Sequence, residues 1–246
     1  MPEYRAFFHF HHELRDFFAD PGAAISLKYD FDGKPSVKDA IEAIGVPHTE
    51  VDSIVVNGAP VGFDYHLKDG DAVSVYPASL SPEIPEKSVL RGKPRPSFVV
   101  DVNLGKLARR LRMLGFDAAY RNDYTDHEIA GLAASEDRIV LTRDRRLLRF
   151  RIITHGYWLR SDDPRMQVKE VLVRFGFHTL IKPFKRCIVC NGVIVAVEKE
   201  AVLDRLEPKT KLYYDEFSIC TDCGKIYWKG SHYDHMKEAL GFLKNR

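Results

Sequence analysis

The four cysteines of this chain fall into two C-x-x-C pairs, and these pairs constrain the fold more than any other feature. Cys187 and Cys190 form the first pair, and Cys220 and Cys223 form the second. Two such pairs can surround one Zn²⁺ with four thiolates in a closed site, which is structural rather than catalytic. The alternatives are two disulfides, which a reducing cytoplasm disfavours, and a thioredoxin-like redox pair, which needs one C-x-x-C. We therefore predict a Cys₄ zinc ribbon over residues 183–246, with zinc supplying much of its folding free energy.

A proline-rich stretch, residues 81–97, is predicted to be an extended linker, because four prolines and a glycine stand there among charged residues. The charges on its two sides differ. Residues 1–85 carry 6 Lys and Arg against 14 Asp and Glu, whereas residues 86–246 carry 31 against 21. The basic part is therefore a candidate for binding a polyanion such as nucleic acid, and the acidic part for binding a protein partner.

Neither a membrane span nor a secretion signal is expected. No run of apolar residues approaches the ~20 that are needed to cross a bilayer. Residues 1–5 do not form a basic segment followed by an apolar stretch, as a secretory signal would. The expected location is the cytoplasm.

Residues 1–80 have the pattern of a compact ββαββ unit, which suits a β-grasp fold. The predicted features, in chain order, are strands at 4–10 and 25–29, a helix capped by Ser36 and ended by Gly45, a strand at 54–56 before an Asn57-Gly58 turn, and a last strand at 72–76.

Two turns of this unit resemble those of the ubiquitin-like sulfur-carrier family: Val56-Asn57-Gly58, and Lys68-Asp69-Gly70-Asp71 before the last strand. That family works through a free C-terminal Gly-Gly, which is activated chemically. Here the last strand runs into Pro77 and the linker, with no Gly-Gly. We therefore expect a docking or stabilising role instead of carrier chemistry.

Short apolar strands alternate with helices over residues 98–180, which predicts a parallel, doubly wound α/β sheet. The predicted strands lie at 98–100, 118–120, 139–141 and 156–159. The first helix carries leucines on one face and stops at Gly115, and the second covers about 126–135.

Aspartates follow the ends of these strands, at Asp101, Asp126, Asp144 and Asp162. In such sheets ligands bind outside the carboxyl ends of the strands. A cluster of carboxylates needs a cation, and hard oxygen ligands suit Mg²⁺ or Mn²⁺. Such an ion can polarise a phosphodiester and activate a water, so the pattern predicts metal-dependent hydrolysis of nucleic acid.

Each acid also has a structural explanation that the sequence leaves open. Residues 125–128 fit a capping box, in which Asp126 would complement the helix dipole. Asp162, shortly before a proline, has the pattern of an N-cap. Asp101 and Asp144 could each cap the helix that follows.

Three segments sharpen the prediction: FVVDVNLGKLARRLR at 98–112, TDHEI at 125–129 and LTRDR at 141–145. They resemble the Mut7-C ribonuclease family of PIN-like nucleases over about 97–240, and the leading module resembles the ubiquitin-like partner of some bacterial members. The resemblance implies a PIN-like sheet and a ribonuclease that uses one or two divalent ions. Asp101, Asp126 and Asp144 match its acids by motif, and Asp162 is the candidate for a fourth.

Basic residues near these acids are expected to bind RNA phosphate, with Lys106 and Arg109 on the first helix and Arg143 beside Asp144. The following arginines either extend this positive surface or form a solvated helix face. They are Arg145, Arg146, Arg149 and Arg151.

Aromatic and cationic residues alternate after the second cysteine pair, where Tyr227, Trp228 and Lys229 are candidates for contact with RNA. Trp228 could instead cover the small core of the ribbon. His232 and His235 are not expected to bind the zinc, because four cysteines complete its shell. Two other functions stay open: a non-catalytic RNA-binding protein, and an adaptor built on a vestigial nuclease fold.

Overall fold

The computed structural model describes residues 2–22, 25–77 and 90–230, together with Tyr233, Glu238 and Gly241. Residues 81–89 of the predicted linker, His232 and His235 lie outside the described residues. The chain forms two compact units, Met1–Arg95 with Thr125–Trp158, and Pro96–Tyr124 with Leu159–Arg246. None of the helices in the described ranges has the length and apolar character of a membrane span.

The leading module folds as a β-grasp, as predicted. Its elements are β1 (Tyr4–Phe10), β2 (Leu27–Phe31), α1 (Val37–Ile44), β3 (Val51–Val56), β4 (Ala59–Val61) and β5 (Ala72–Pro77). The sheet order is β2-β1-β5-β3-β4, in which β1 and β5 are parallel and the other neighbours antiparallel. The second strand starts two residues later than predicted, and the short edge strand β4 was not predicted because it contains Pro60.

Local signals fix the start of α1 and the turns of this module. Ser36 Oγ accepts a hydrogen bond from the backbone N–H of Asp39, which caps the helix. Asp71 is buried and accepts hydrogen bonds from Asn57 Nδ2 at 2.8 Å and Tyr65 Oη at 3.1 Å. Both turns that suggested a ubiquitin-like fold therefore depend on one carboxylate.

The second unit begins with a parallel strand pair. Strand β6 (Ser97–Val100) pairs with β7 (Asp117–Ala119), and α2 (Gly105–Met113) connects them. The strand β6 starts at a residue that the sequence assigned to the linker, and β7 starts one residue earlier than predicted. Gly115 ends the helix with φ +91°, and a Cβ there would lie 2.0 Å from the carbonyl oxygen of Lys182. Only glycine fits that position.

The first unit also contains a helix and two parallel strands from the centre of the chain. Helix α3 (Asp126–Glu136) precedes β8 (Ile139–Thr142), which pairs in parallel with β9 (Gly156–Trp158). These strands are buried on most positions, as apolar runs in parallel sheets usually are. The predicted parallel pairing is thus present in each unit.

Helix α4 (Pro164–Phe175) corrects one prediction. Its N-cap is Asp163, whose Oδ1 accepts a hydrogen bond of 2.8 Å from the backbone N–H of Arg165. The sequence pointed to Asp162 instead. Because proline is preferred at the first helical position, the cap is the residue directly before Pro164.

The C-terminal segment forms the predicted ribbon. Strands β10 (Ile194–Val197), β11 (Phe217–Cys220) and β12 (Ile226–Trp228) pair in antiparallel order, and α5 (Pro208–Tyr213) lies in the spacer between the cysteine pairs. Its small core consists of three buried residues: Val202, Leu206 and Phe217.

Candidate functional site

Asp101 directly follows β6 and has only 8% of its surface exposed. Its carbonyl oxygen accepts a hydrogen bond of 2.9 Å from Leu104, which opens a 3-10 helix over Val102–Leu104. The Asp101 side chain makes no cap hydrogen bond to that helix. Helix capping therefore does not explain this carboxylate, and its burial requires compensation by hydrogen bonds or a cation.

Asp126 is the first residue of α3 and is exposed. The capping box predicted at this helix is present and uses Thr125 and Glu128. Thr125 Oγ1 accepts a hydrogen bond of 3.3 Å from the Glu128 N–H, and Glu128 Oε2 accepts one of 2.7 Å from the Thr125 N–H. Asp126 thus stands at the positive end of the helix dipole beside a cap that other residues form.

Asp144 lies two residues after β8, in a turn built from side-chain hydrogen bonds. Its N–H donates to Thr142 Oγ1 at 2.8 Å, and its Oδ1 accepts from the backbone N–H of Arg146 at 2.8 Å. The Arg146 guanidinium lies 3.2 Å from Asp144 Oδ2. Burial raises the pKa of Asp144, but the hydrogen bonds and charge of Arg146 outweigh it and lower that pKa.

Arg146 pairs with Asp144 and also senses the charge of Asp126. A hydrogen bond to Asp144 and the charge of Asp144 raise the pKa of Arg146, and the charge of Asp126 raises it further. Both carboxylates therefore act on one guanidinium within the first unit. Arg143, the neighbouring candidate for phosphate binding, is exposed. Asp101 belongs to the second unit, and the sharing of one ion by all three acids stays a prediction.

A cleft of about 530 Å³ in the second unit collects several predicted residues. Its walls are the 3-10 helix after Asp101, the first turns of α2 and the segment before α4. Lys106 and Arg109, both exposed, and Asp162 line it together. The two predicted phosphate ligands on this helix therefore face the same space as the candidate fourth acid.

Three further polar residues line this cleft, and sequence reasoning missed them. Asn103 follows a strand end by three residues, which is a signal that could have been used. Tyr120 Oη donates a hydrogen bond of 2.9 Å to the carbonyl oxygen of Val102, and Gln167 is buried in α4. The positions of Tyr120 and Gln167 depend on tertiary contacts, so no local pattern marks these two residues.

The arginine run after Asp144 is not a uniform solvated face. The guanidinium carbon of Arg145 lies 3.9 Å from the centroid of the Trp158 ring, and its Nη1 donates to the carbonyl oxygen of Phe17 at 3.0 Å. Arg149 and Arg151 are exposed, as expected for solvated residues. The run thus divides into residues with different roles.

The four cysteines of the ribbon have the geometry of a metal centre. Their Sγ atoms all lie within 4.8 Å of one another. The Cys187 and Cys223 sulfurs are 3.7 Å apart, and those of Cys190 and Cys220 are 3.4 Å apart. Disulfide sulfurs lie about 2.05 Å apart, whereas Zn–S bonds of ~2.3 Å place tetrahedral ligands ~3.8 Å apart. The four thiols are therefore positioned to bind one metal ion, as predicted.

Tyr227, an RNA-contact candidate, also supports this centre. Its hydroxyl lies 3.0 Å from Cys187 Sγ. Burial raises the pKa of Cys187, but hydrogen bonds from the Cys190 N–H, the Tyr227 hydroxyl and the Val189 N–H lower it to about 6. These hydrogen bonds thus favour the thiolate of Cys187, which is the form that binds metal.

Trp228 and Lys229, the other two RNA-contact candidates, have structural partners. Trp228 packs against the ribbon core, as the structural alternative predicts. Lys229 Nζ forms an ion pair with Glu216. With Tyr227 they line a groove of about 250 Å³. Contact with RNA there stays a prediction.

Comparison with known proteins gives two matches to family models. No curated protein and no solved structure matches the chain. The model of the Mut7-C ubiquitin domain matches residues 3–82, and the model of the Mut7-C RNAse domain matches residues 96–240. The second match covers more than half of the chain. The chain therefore belongs to the Mut7-C RNase family and carries a Mut7-C ubiquitin domain ahead of its RNase domain.

Proposed function

We propose that this protein is a metal-dependent ribonuclease. The observation that carries the proposal is that Asp144 follows the end of the parallel strand β8 and that Asp126 begins α3 in the same unit. Asp101, buried after the parallel strand β6, would supply the third carboxylate. The match to the RNAse domain model supports RNA as the substrate.

The donor set suits a hard divalent ion. Asp101, Asp126 and Asp144 would hold Mg²⁺ or Mn²⁺, with Asp162 as a further candidate ligand. When bound, the ion would polarise the phosphodiester and activate a water for hydrolysis.

The basic residues would bind and orient the RNA backbone. Lys106 and Arg109 offer two cationic groups on one wall of the cleft, and phosphate contacts of this kind position nucleic acid without reading its sequence. Arg143, next to Asp144, would offset the negative charge that develops on the phosphate.

Zn²⁺ is the metal that we assign to the four cysteines. Four thiolates leave no open position, so this ion would be structural. Its role would be to hold together a segment whose core has few buried apolar residues.

The test is cleavage of a labelled single-stranded RNA by the full chain with Mg²⁺ or Mn²⁺, and with EDTA. Asp101→Asn and Asp144→Asn should abolish the metal-dependent cleavage. Asp123→Asn is the matched control, because Asp123 is an exposed acid of the same region that pairs with Arg121. It should cleave as the unmodified chain does.

Binding of RNA without cleavage under any divalent ion would contradict this proposal. It would favour the non-catalytic RNA-binding alternative. Equal loss of cleavage in Asp123→Asn would show that the effect is not specific to the proposed ligands.

A further inference from the structure

The turn that carries Asp144 is attached to the ubiquitin-like module through Trp158 and Arg145. We call residues 143–146 the acid loop. Trp158, the last residue of β9, lies beside it, and its Nε1–H donates a hydrogen bond of 3.3 Å to the carbonyl oxygen of Arg143. The loop is therefore attached to Trp158 at the residue that precedes Asp144.

Trp158 is in turn held by the ubiquitin-like module. Its backbone N–H donates a hydrogen bond to Glu50 Oε1, and the Glu50 side chain is fully buried. The Trp158 ring packs against the core of the module, with its centroid 5.0 Å from that of Phe17. A buried carboxylate is a costly group, and here it fixes the position of one tryptophan.

Arg145 makes a second attachment on the other side of Asp144. Its guanidinium stacks on the Trp158 ring and donates to the carbonyl oxygen of Phe17. Arginine suits this site because its planar group can stack and donate at once. Both neighbours of Asp144 in the chain thus have partners that belong to, or rest on, the ubiquitin-like module.

The segment after the acid loop is attached to the same module. Thr49 Oγ1 donates to the carbonyl oxygen of Leu148 at 3.3 Å, and His48 Nε2 lies 3.0 Å from that of Ile153. A Cβ at Gly156 would lie 3.3 Å from the Cβ of Thr49, so the two backbones approach closely. The module therefore contacts several points between residues 145 and 158.

We propose that the ubiquitin-like module positions Asp144, with Glu50 and Trp158 as positioning residues that act through the acid loop. The inference rests on the proposed function for its effect on metal binding. The proposal gives the module a role within this protein: Glu50 is fully buried by residues of the same chain. Residues that orient a metal ligand typically change metal affinity by about 10–100-fold when they are replaced.

Three variants test the proposal. Trp158→Phe keeps an aromatic ring under Arg145 but removes the hydrogen bond to Arg143, and Glu50→Ala removes the acceptor for the Trp158 N–H. Both should raise the Mn²⁺ concentration for half-maximal cleavage by about tenfold or more, as expected for a lost supporting contact. Glu50→Gln keeps an acceptor oxygen and should restore the original value.

A second measurement does not depend on activity. The N–H of Asp144 and that of Arg146 are each held by a side-chain oxygen of this turn. Their amide hydrogen exchange should become about tenfold faster in Trp158→Phe and Glu50→Ala, as expected for the loss of about one hydrogen bond. The Glu50→Gln chain should keep the original exchange rates.

Ile41→Val controls for simple destabilisation, because Ile41 is buried in the core of the same module but lies on α1, outside the elements that carry Glu50 and Trp158. It should lower the melting temperature without changing the metal requirement or exchange in the acid loop. If Ile41→Val reproduces both effects, or if the Glu50 and Trp158 variants change neither, the positioning role is wrong. If the unmodified chain cleaves no RNA but the exchange effects appear, the proposed function fails while the positioning of the loop stands.

Discussion

The guanidinium of Arg112 donates a hydrogen bond of 2.8 Å to the carbonyl oxygen of Val189, between Cys187 and Cys190 of the first cysteine pair. It also donates to Ile188 at 3.3 Å and to Ala118 at 2.9 Å. A further hydrogen bond joins the same elements: the N–H of Ala118 on β7 donates to Asn191 Oδ1, directly after the first cysteine pair, at 2.9 Å. The first cysteine pair is therefore built onto α2 and β7, so the ribbon and this part of the RNase domain form one folded unit.

Replacing Arg112 should destabilise the second unit. Arg112→Met keeps much of the apolar volume but leaves the carbonyl oxygens of Ala118, Ile188 and Val189 without their charged donor, which should cost about 2 kcal/mol. Urea unfolding followed by circular dichroism measures this loss. Arg109→Met is the control, since Arg109 is exposed on the same helix. Equal losses in the two variants would contradict a specific role for Arg112.

Arg146 should control the ionisation of Asp144. Burial raises the pKa of Asp144 and Arg146 lowers it, so Arg146→Gln should raise this pKa towards or above its ordinary value. A carboxyl carbon NMR titration measures the shift. Arg149→Gln, which removes an exposed arginine three residues later, should leave it unchanged.

The sign of the pH dependence follows from the same pair. Because the folded pKa of Asp144 is depressed, its contribution to stability is present above the unfolded value of about 4 and is lost as pH falls through the folded pKa. In Arg146→Gln, the free energy of unfolding should therefore fall less as the pH is lowered through the range in which Asp144 becomes protonated. An unchanged pKa of Asp144 in that variant would contradict the pairing.

Local sequence signals predicted much of this fold. The capping box at Thr125 and Glu128 could be recognised in the sequence because its two partners stand three residues apart. The β-grasp turns and the cysteine pairs could be recognised because each of these motifs also lies within a few consecutive residues. Asp163 was confused with its neighbour Asp162, because both stand before Pro164 and only the backbone conformation decides which one caps the helix.

The roles of Arg145 and Trp158 could not be predicted from sequence. Arg145 looked like part of a basic run, but its partner Phe17 lies 128 residues away in the chain. The hydrogen bond between Trp158 and Glu50 spans 108 residues. Contacts between residues so far apart in the chain produce no spacing or periodicity in the sequence. The sequence therefore showed that this region is basic, but not how Arg145 and Trp158 pack.

The basic residues of the cleft should govern RNA affinity through their charge. Lys106→Ala and Arg109→Ala should each weaken binding and lower the slope of log affinity against log salt by about 0.7, the value for one single-strand phosphate contact. Fluorescence anisotropy at several salt concentrations measures this slope. Lys209→Ala, an exposed lysine on α5, is the control and should keep the original slope. If all three variants lower it equally, the cleft is not the binding site.

Removing the metal from the ribbon should unfold that segment, because its buried apolar core is small. Cys220→Ser replaces one of the two buried cysteines and should reduce the zinc content below the expected one ion per chain. The segment should then unfold, because structural zinc binding contributes on the order of 10 kcal/mol to folding. Atomic absorption measures the zinc, and limited proteolysis detects the unfolding. Lys225→Ala changes an exposed residue of the same turn and should retain the zinc. A protease-resistant ribbon after complete removal of zinc would show that packing against Arg112 suffices to hold it.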